Sequence, residues 1–145
     1  MEGTVQRIEV SREPQDVYEI ALDLDAYPKW ADGVKSVEIT EDDEHGRPLK
    51  ADFTVDGMIK EISYTLDYSY DSDNGFAWSA IPNDDINVLE GSYEFNALDE
   101  GGTEVVYALR VESAFKVPGF LRRQAEKQIV GTALRGLKKR AEEES

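Results

Sequence analysis

The chain has 145 residues and no cysteine, with 31 Asp and Glu against 16 Lys and Arg for a formal charge of −15. That length makes one domain with a real core, read as 1–145, and the missing cysteine excludes disulfides and thiolate metal centres. The acidity argues against nucleic acid as a partner, the apolar runs are too short for a transmembrane segment, and no basic-then-apolar leader opens the chain. The expectation is a cytoplasmic protein.

Residues 4–11 alternate, with Ile8 and Val10 among Gln6, Arg7 and Glu9, and predict a first strand. Pro14 and Asp16 then suit the first turn of a helix, whose missing donors and positive dipole end favour proline and acids. Val17, Ile20, Ala21 and Leu24 give that helix one apolar face. Asp25 is placed as the cap of a second short helix that Gly33 ends.

From 34 to 113 the period is two almost throughout. Six strands are predicted, over 34–41, 49–58, 60–71, 75–81, 86–98 and 103–113. The turns EDDEHGRP, DSDNG, PNDD and DEGG, with a tight joint near Gly57, are hairpin-short and rich in Asp, Asn, Gly and Pro. Short gaps mean an antiparallel meander. One phase holds Val37, Phe53, Val55, Tyr64, Leu66, Tyr68, Trp78, Tyr93, Phe95, Tyr107 and Leu109, and the other is charged, so one face of the sheet is solvated and the other needs a cover.

The cover is the last long run, 117–141. Its apolar residues Leu121, Ala125, Ile129, Ala133, Leu137 and Ala141 recur every four positions, with Val130 and Leu134 beside them, and predict a one-sided helix. Seven Lys and Arg stand there against Glu126 alone, a net of +6, which leaves −21 for the rest of the −15 chain. Most of this basic face reads as helix surface leaning on an acidic sheet. A transient membrane contact or an acidic partner is the other reading.

Known catalytic constellations are missing. His45, the only histidine, falls in the acidic EDDEHGRP turn; no G-x-S-x-G elbow and no G-x-x-x-x-G-K-[ST] phosphate loop occurs. No catalytic residue, metal site or cofactor is predicted. The paired carboxylates fall on the outer phase or in turns, and no inward acid is identified. Instead the inner phase carries Tyr64, Tyr68, Tyr93, Tyr107 and the Trp78 indole. Rings with a few hydroxyls suit a pocket for a mostly apolar ligand, expected at roughly 300–1,000 Å³ between sheet and helix. Tyr27 and Trp30 are placed at its mouth, Arg122 at its rim, and Ile129 and Ala133 on the helix wall.

The order strand, two short helices, six strands, long helix resembles the helix-grip fold of the Bet v 1/START-like (SRPBCC) superfamily. The words Asp25-Ala-Tyr-Pro-Lys-Trp, Val34-Lys-Ser-Val-Glu, Gly91-Ser-Tyr-Glu-Phe, Gly102-Thr-Glu-Val-Val-Tyr and Pro118-Gly-Phe-Leu are similar to its polyketide cyclase/dehydrase and coenzyme-Q-binding-like branch. The resemblance implies an α+β fold, a seven-stranded curved antiparallel sheet around the C-terminal helix. It also implies an internal cavity for a lipid, quinone or polyketide-like molecule. It does not choose between a carrier, a polyketide aromatase/cyclase or dehydratase, and an interaction module using the basic helix.

Overall fold

A computed structural model describes residues 3–56, 60–114 and 117–143. The elements are β1 (Thr4–Val10), α1 (Pro14–Leu22), a 3₁₀ turn (Leu24–Ala26), α2 (Tyr27–Trp30), β2 (Val34–Asp42), β3 (Pro48–Asp56), β4 (Glu61–Ser69), β5 (Gly75–Ala80), β6 (Ile86–Ala97), β7 (Thr103–Ser113) and α3 (Gly119–Glu143). All six strands predicted from 34 to 113 are present. Gly57 and Met58, expected at a tight joint and a strand end, lie outside the described residues.

The seven strands form one antiparallel sheet in the order β1-β7-β6-β5-β4-β3-β2. Each strand from β2 to β7 pairs with its sequence neighbour, as hairpin-length connections require. β1 alone crosses, to pair with β7. The turns use the predicted chemistry. Asp43 Oδ1 accepts from the backbone N–H of His45 and Arg47, both at 2.9 Å, and Gly46 takes φ +81. Gly101 and Gly102, at φ +81 and +112, turn β6 into β7 in a backbone region that side chains with a Cβ rarely enter.

One expected cap is corrected. Asp25 lies inside the 3₁₀ turn, and neither short helix has a side-chain cap. Only Asp23 separates α1 from the turn, and at φ −78 and ψ 77 it is not extended and makes no side-chain cap. The turn's contacts come instead from Leu24, which is fully buried.

α3 is 25 residues, about 37 Å at roughly 1.5 Å per residue, and packs on β1, β7, α1 and α2. Its buried residues are Glu126, Val130, Gly131, Leu134, Leu137 and Ala141. The row expected to be buried is therefore displaced: Leu121 and Ile129 are 44% and 46% exposed. A strict four-residue row drifts about 40° per step around a 3.6-residue helix, so Leu121 and Ala141 cannot share a face. The true stripe steps by four, four, three and four from Glu126 to Ala141 and stays over the sheet. At its far end α3 is tied down. Glu142 accepts from the Ser11 N–H (3.0 Å) and pairs with Lys138 (2.9 Å), and Arg12 donates to the Ala141 carbonyl (2.6 Å).

Candidate functional site

The concave face of the sheet is built by cross-strand register. Tyr68, Trp78, Gly91 and Leu109 stand side by side on β4, β5, β6 and β7, and Phe76, Tyr93 and Tyr107 form the next row. A methyl on Gly91 would lie 2.5 Å from two ring carbons of Trp78, so this glycine makes the floor on which the indole lies. The Trp78 ring meets those of Tyr68, Phe76, Tyr93 and Tyr107 at centroid separations of 5.5–6.0 Å. Tyr93 and Tyr107 cross edge to face at 4.6 Å, and Phe53 stacks on Tyr64 at 5.6 Å. The structure thus brings Phe53, Leu66, Tyr68, Trp78, Tyr93, Phe95, Tyr107 and Leu109 into one cluster, with Val55, Tyr64 and Ala133 packed at its margin.

Burial drives the phenols of Tyr27, Tyr64, Tyr68, Tyr93 and Tyr107 far above their ordinary pKa, with neighbouring phenols adding to the effect at all but Tyr64. They are neutral O–H donors at any physiological pH. Tyr27 donates to the Ala21 carbonyl. The hydroxyls of Tyr64, Tyr68, Tyr93 and Tyr107 have no hydrogen-bond partner among the described residues. Nor are they sealed: Tyr68, Tyr93 and Tyr107 keep 8%, 6% and 7% of their surface open, and Trp78 keeps 8%. Desolvated donors without a protein partner are free to meet an acceptor atom of a bound molecule.

Trp30 and Tyr27 pack together at 5.1 Å on α2, and Tyr27 reaches Phe53 at 6.3 Å. The Trp30 indole lies against Gly136 of α3, whose added methyl would meet it at an ordinary 3.5 Å. Trp30 Nε1 is buried without a partner. Two measured clefts lie outside the sheet's concave face. One, about 270 Å³, runs between α1, α2 and the end of α3 and is lined by Arg12, Asp16, Asp23, Trp30 and Arg140 among others. The other, about 470 Å³, is bounded by Ser11, Glu13, Glu100 and Gly102. Neither is the sheet-to-helix pocket expected from sequence; of the expected site residues only Trp30 lines one of them. Arg122 is half-buried at the start of α3, and Ile129 is turned away from the cluster.

Sequence reasoning missed Glu126. It is 1% exposed, yet a carboxylate. Among the described residues β1 pairs with β7 only as far as Thr4 opposite Leu109, and the next inward N–H of β7 bonds to a side chain of α3. Glu126 Oε2 accepts from that Val111 N–H at 2.8 Å, and Oε1 accepts from the Thr4 hydroxyl at 3.1 Å. The side chain completes the sheet edge and pins α3 to it. The signal was available: Glu126 stands four before Val130, in the apolar row, as the lone acid of the basic run 117–141. Glu126→Leu should cost about 1–3 kcal/mol by orphaning the Val111 N–H, whereas Glu126→Gln keeps an acceptor and should cost under about 1 kcal/mol. Urea denaturation of the two variants checks this; equal losses would remove the edge-capping role.

Residues 10–138 match the family model described as polyketide cyclase / dehydrase and lipid transport. The chain belongs to that family. No curated protein matches it in sequence. Among solved structures it is similar to a START superfamily protein from Mycobacterium smegmatis, with 20% identity over 99% of both chains and a TM-score of 0.93. A protein from Thermus thermophilus shares 24% identity over 99% of both chains, at a TM-score of 0.81. The Zhui aromatase/cyclase from Streptomyces sp. R1128 shares 17% identity over 97% of this chain and 93% of its own, at 0.83. These likenesses show the helix-grip fold. Every described helix of this family member is too short or too polar to cross a membrane.

Proposed function

We propose that this protein binds a neutral, largely apolar or aromatic small molecule against the concave face of its sheet, as a carrier or binding protein. The observation that carries the reading is the set of open, unpartnered donors inside the ring cluster: the Tyr64, Tyr68, Tyr93 and Tyr107 hydroxyls. Buried donors usually have partners, and a guest with acceptor oxygens, such as a quinone or polyketide-like molecule, would supply them. The predicted sheet residues and Ala133 make up this wall, with Tyr27 and Trp30 as a plug at its side, and the reading uses neither Ile129 nor Arg122. The family description, which includes lipid transport, agrees with such a guest.

A carrier is favoured over a cyclase or dehydratase because the wall bears rings and aliphatics, with no ionised group to move a proton. The one deeply buried acid among the described residues, Glu126, already uses both oxygens on Val111 and Thr4.

Native mass spectrometry of freshly purified protein should find a co-purifying small molecule. A quinone such as menadione, added to guest-free protein, should quench Trp78 with saturation. Gly91→Ala would push the indole into the guest's place and should weaken that binding at least about tenfold, or roughly 1.4 kcal/mol. Quenching that persists at the same concentrations in both Gly91→Ala and Trp78→Leu would place the guest elsewhere, and the reading would fall.

A further inference from the structure

The first turns of α3 project from the body. Val117, Phe120 and Leu121 are 38%, 61% and 44% exposed, and every residue from 117 to 124 is exposed except the half-buried Arg122. Ile81, 44% exposed just beyond β5, lies at the same end of the sheet, since β5 and β7 run in the same direction. Arg122, Arg123 and Lys127 stand among these apolar side chains, and the one acid of residues 117–141, Glu126, is buried. The positive end of the α3 dipole adds to the same field. The rest of the chain carries −21.

We propose that this apolar, basic tip docks on an anionic lipid bilayer, with Phe120 and Leu121 entering the headgroup boundary and Arg123 and Lys127 meeting lipid phosphates. Charge complementarity selects an anionic surface, because this is the cationic end of an otherwise acidic molecule. Shape selects a bilayer over an acidic protein. The apolar side chains stand out convexly on a helix start, where a soft interface accepts them without a matching groove. The acidic body repels the same surface, as does Asp84 in the turn that carries Ile81, where Asp85 is paired with Lys60 at 2.5 Å. That repulsion limits contact to the tip and makes it steeply dependent on salt, since charges beyond about 8–10 Å are screened. The inference goes beyond the interior site and does not depend on it.

Flotation of the full chain with guest-free vesicles tests it. At about 0.1 M salt the protein should partition onto phosphatidylcholine vesicles containing phosphatidylserine and not onto pure phosphatidylcholine. Arg123→Glu with Lys127→Glu should lower the partition constant about thirtyfold or more. Phe120→Ser with Leu121→Ser should lower it at least about tenfold. Lys139→Glu, at the exposed far end of α3, should change it by less than about threefold. Melting temperatures report folding, and should the apolar pair prove unstable, Phe120→Ser alone carries the test. Equal partition onto both vesicle types, an equal loss in Lys139→Glu, or no partition of the wild type would overturn the proposal, even if an acidic protein were found to bind instead.

Discussion

The protein should unfold cooperatively as the pH is raised from about 10 to 11.5. Tyr27, Tyr64, Tyr68, Tyr93 and Tyr107 are held neutral by burial, each with its pKa raised in the fold. In the unfolded chain a tyrosine ionises near its ordinary value of about 10. A raised folded pKa contributes stability that is fully present below the unfolded value and is lost as pH rises above it. At pH 11 each ring forgoes about 1.4 kcal/mol of ionisation available to the unfolded chain, so five together oppose folding by about 7 kcal/mol. That is comparable to a typical net stability of about 5–15 kcal/mol. Phenolate absorbance and circular dichroism followed together should change in one step. Phenolate appearing gradually near pH 10 with the circular dichroism unchanged would mean that the hydroxyls are open to solvent. The unpartnered interior donors on which the binding reading rests would then be ordinary solvated phenols, and that reading would fall.

Leu137→Asp should abolish folding, while Ile129→Asp should cost under about 1 kcal/mol. Leu137 is fully buried in the stripe of α3 that meets the sheet, beside Leu134 and Ala141. Truncation to alanine alone would cost about 2–5 kcal/mol, and an unpaired carboxylate at that position adds the cost of desolvating a charge. Ile129, 46% exposed, loses little when it becomes polar. Thermal melts, or recovery in the soluble fraction for the variant that fails to fold, separate the two. Comparable behaviour of the pair would mean that α3 presents another face to the sheet, and the role assigned to Glu126 would go with it.

The strands and their inner faces were legible because a period of two leaves one choice. Once Phe53, Tyr64, Tyr68, Trp78 and Tyr93 are seen to alternate with acids and hydroxyls, their common side follows, and hairpin-length turns put neighbours next to each other. The register that sets Trp78 over Gly91 needs both strands in place, as does the crossing of β1 to β7. Neither can be read from either segment alone. Asp25 illustrates the same limit at short range. Its residue type suits a cap, but the 3₁₀ turn that follows α1 without an intervening extended residue leaves it no free donor to meet.

The sequence by itself determined the six-strand meander, the charged outer face, the ring-lined inner face and the long helix that had to cover it. Alternation and turn chemistry are local, so the chain states them directly. Only the tertiary structure decided which side of α3 is buried. The helix carries apolar residues on more than one row, Leu121–Ile129 as well as Val130–Leu134, and no local rule ranks them. Contact with β1 and β7 does, and it turns Ile129 outward. The same contact explains a buried carboxylate that composition would place in water. Among the described residues Glu126 meets the β7 N–H of Val111 just past the Thr4–Leu109 pair, a position that exists only after the strands have paired.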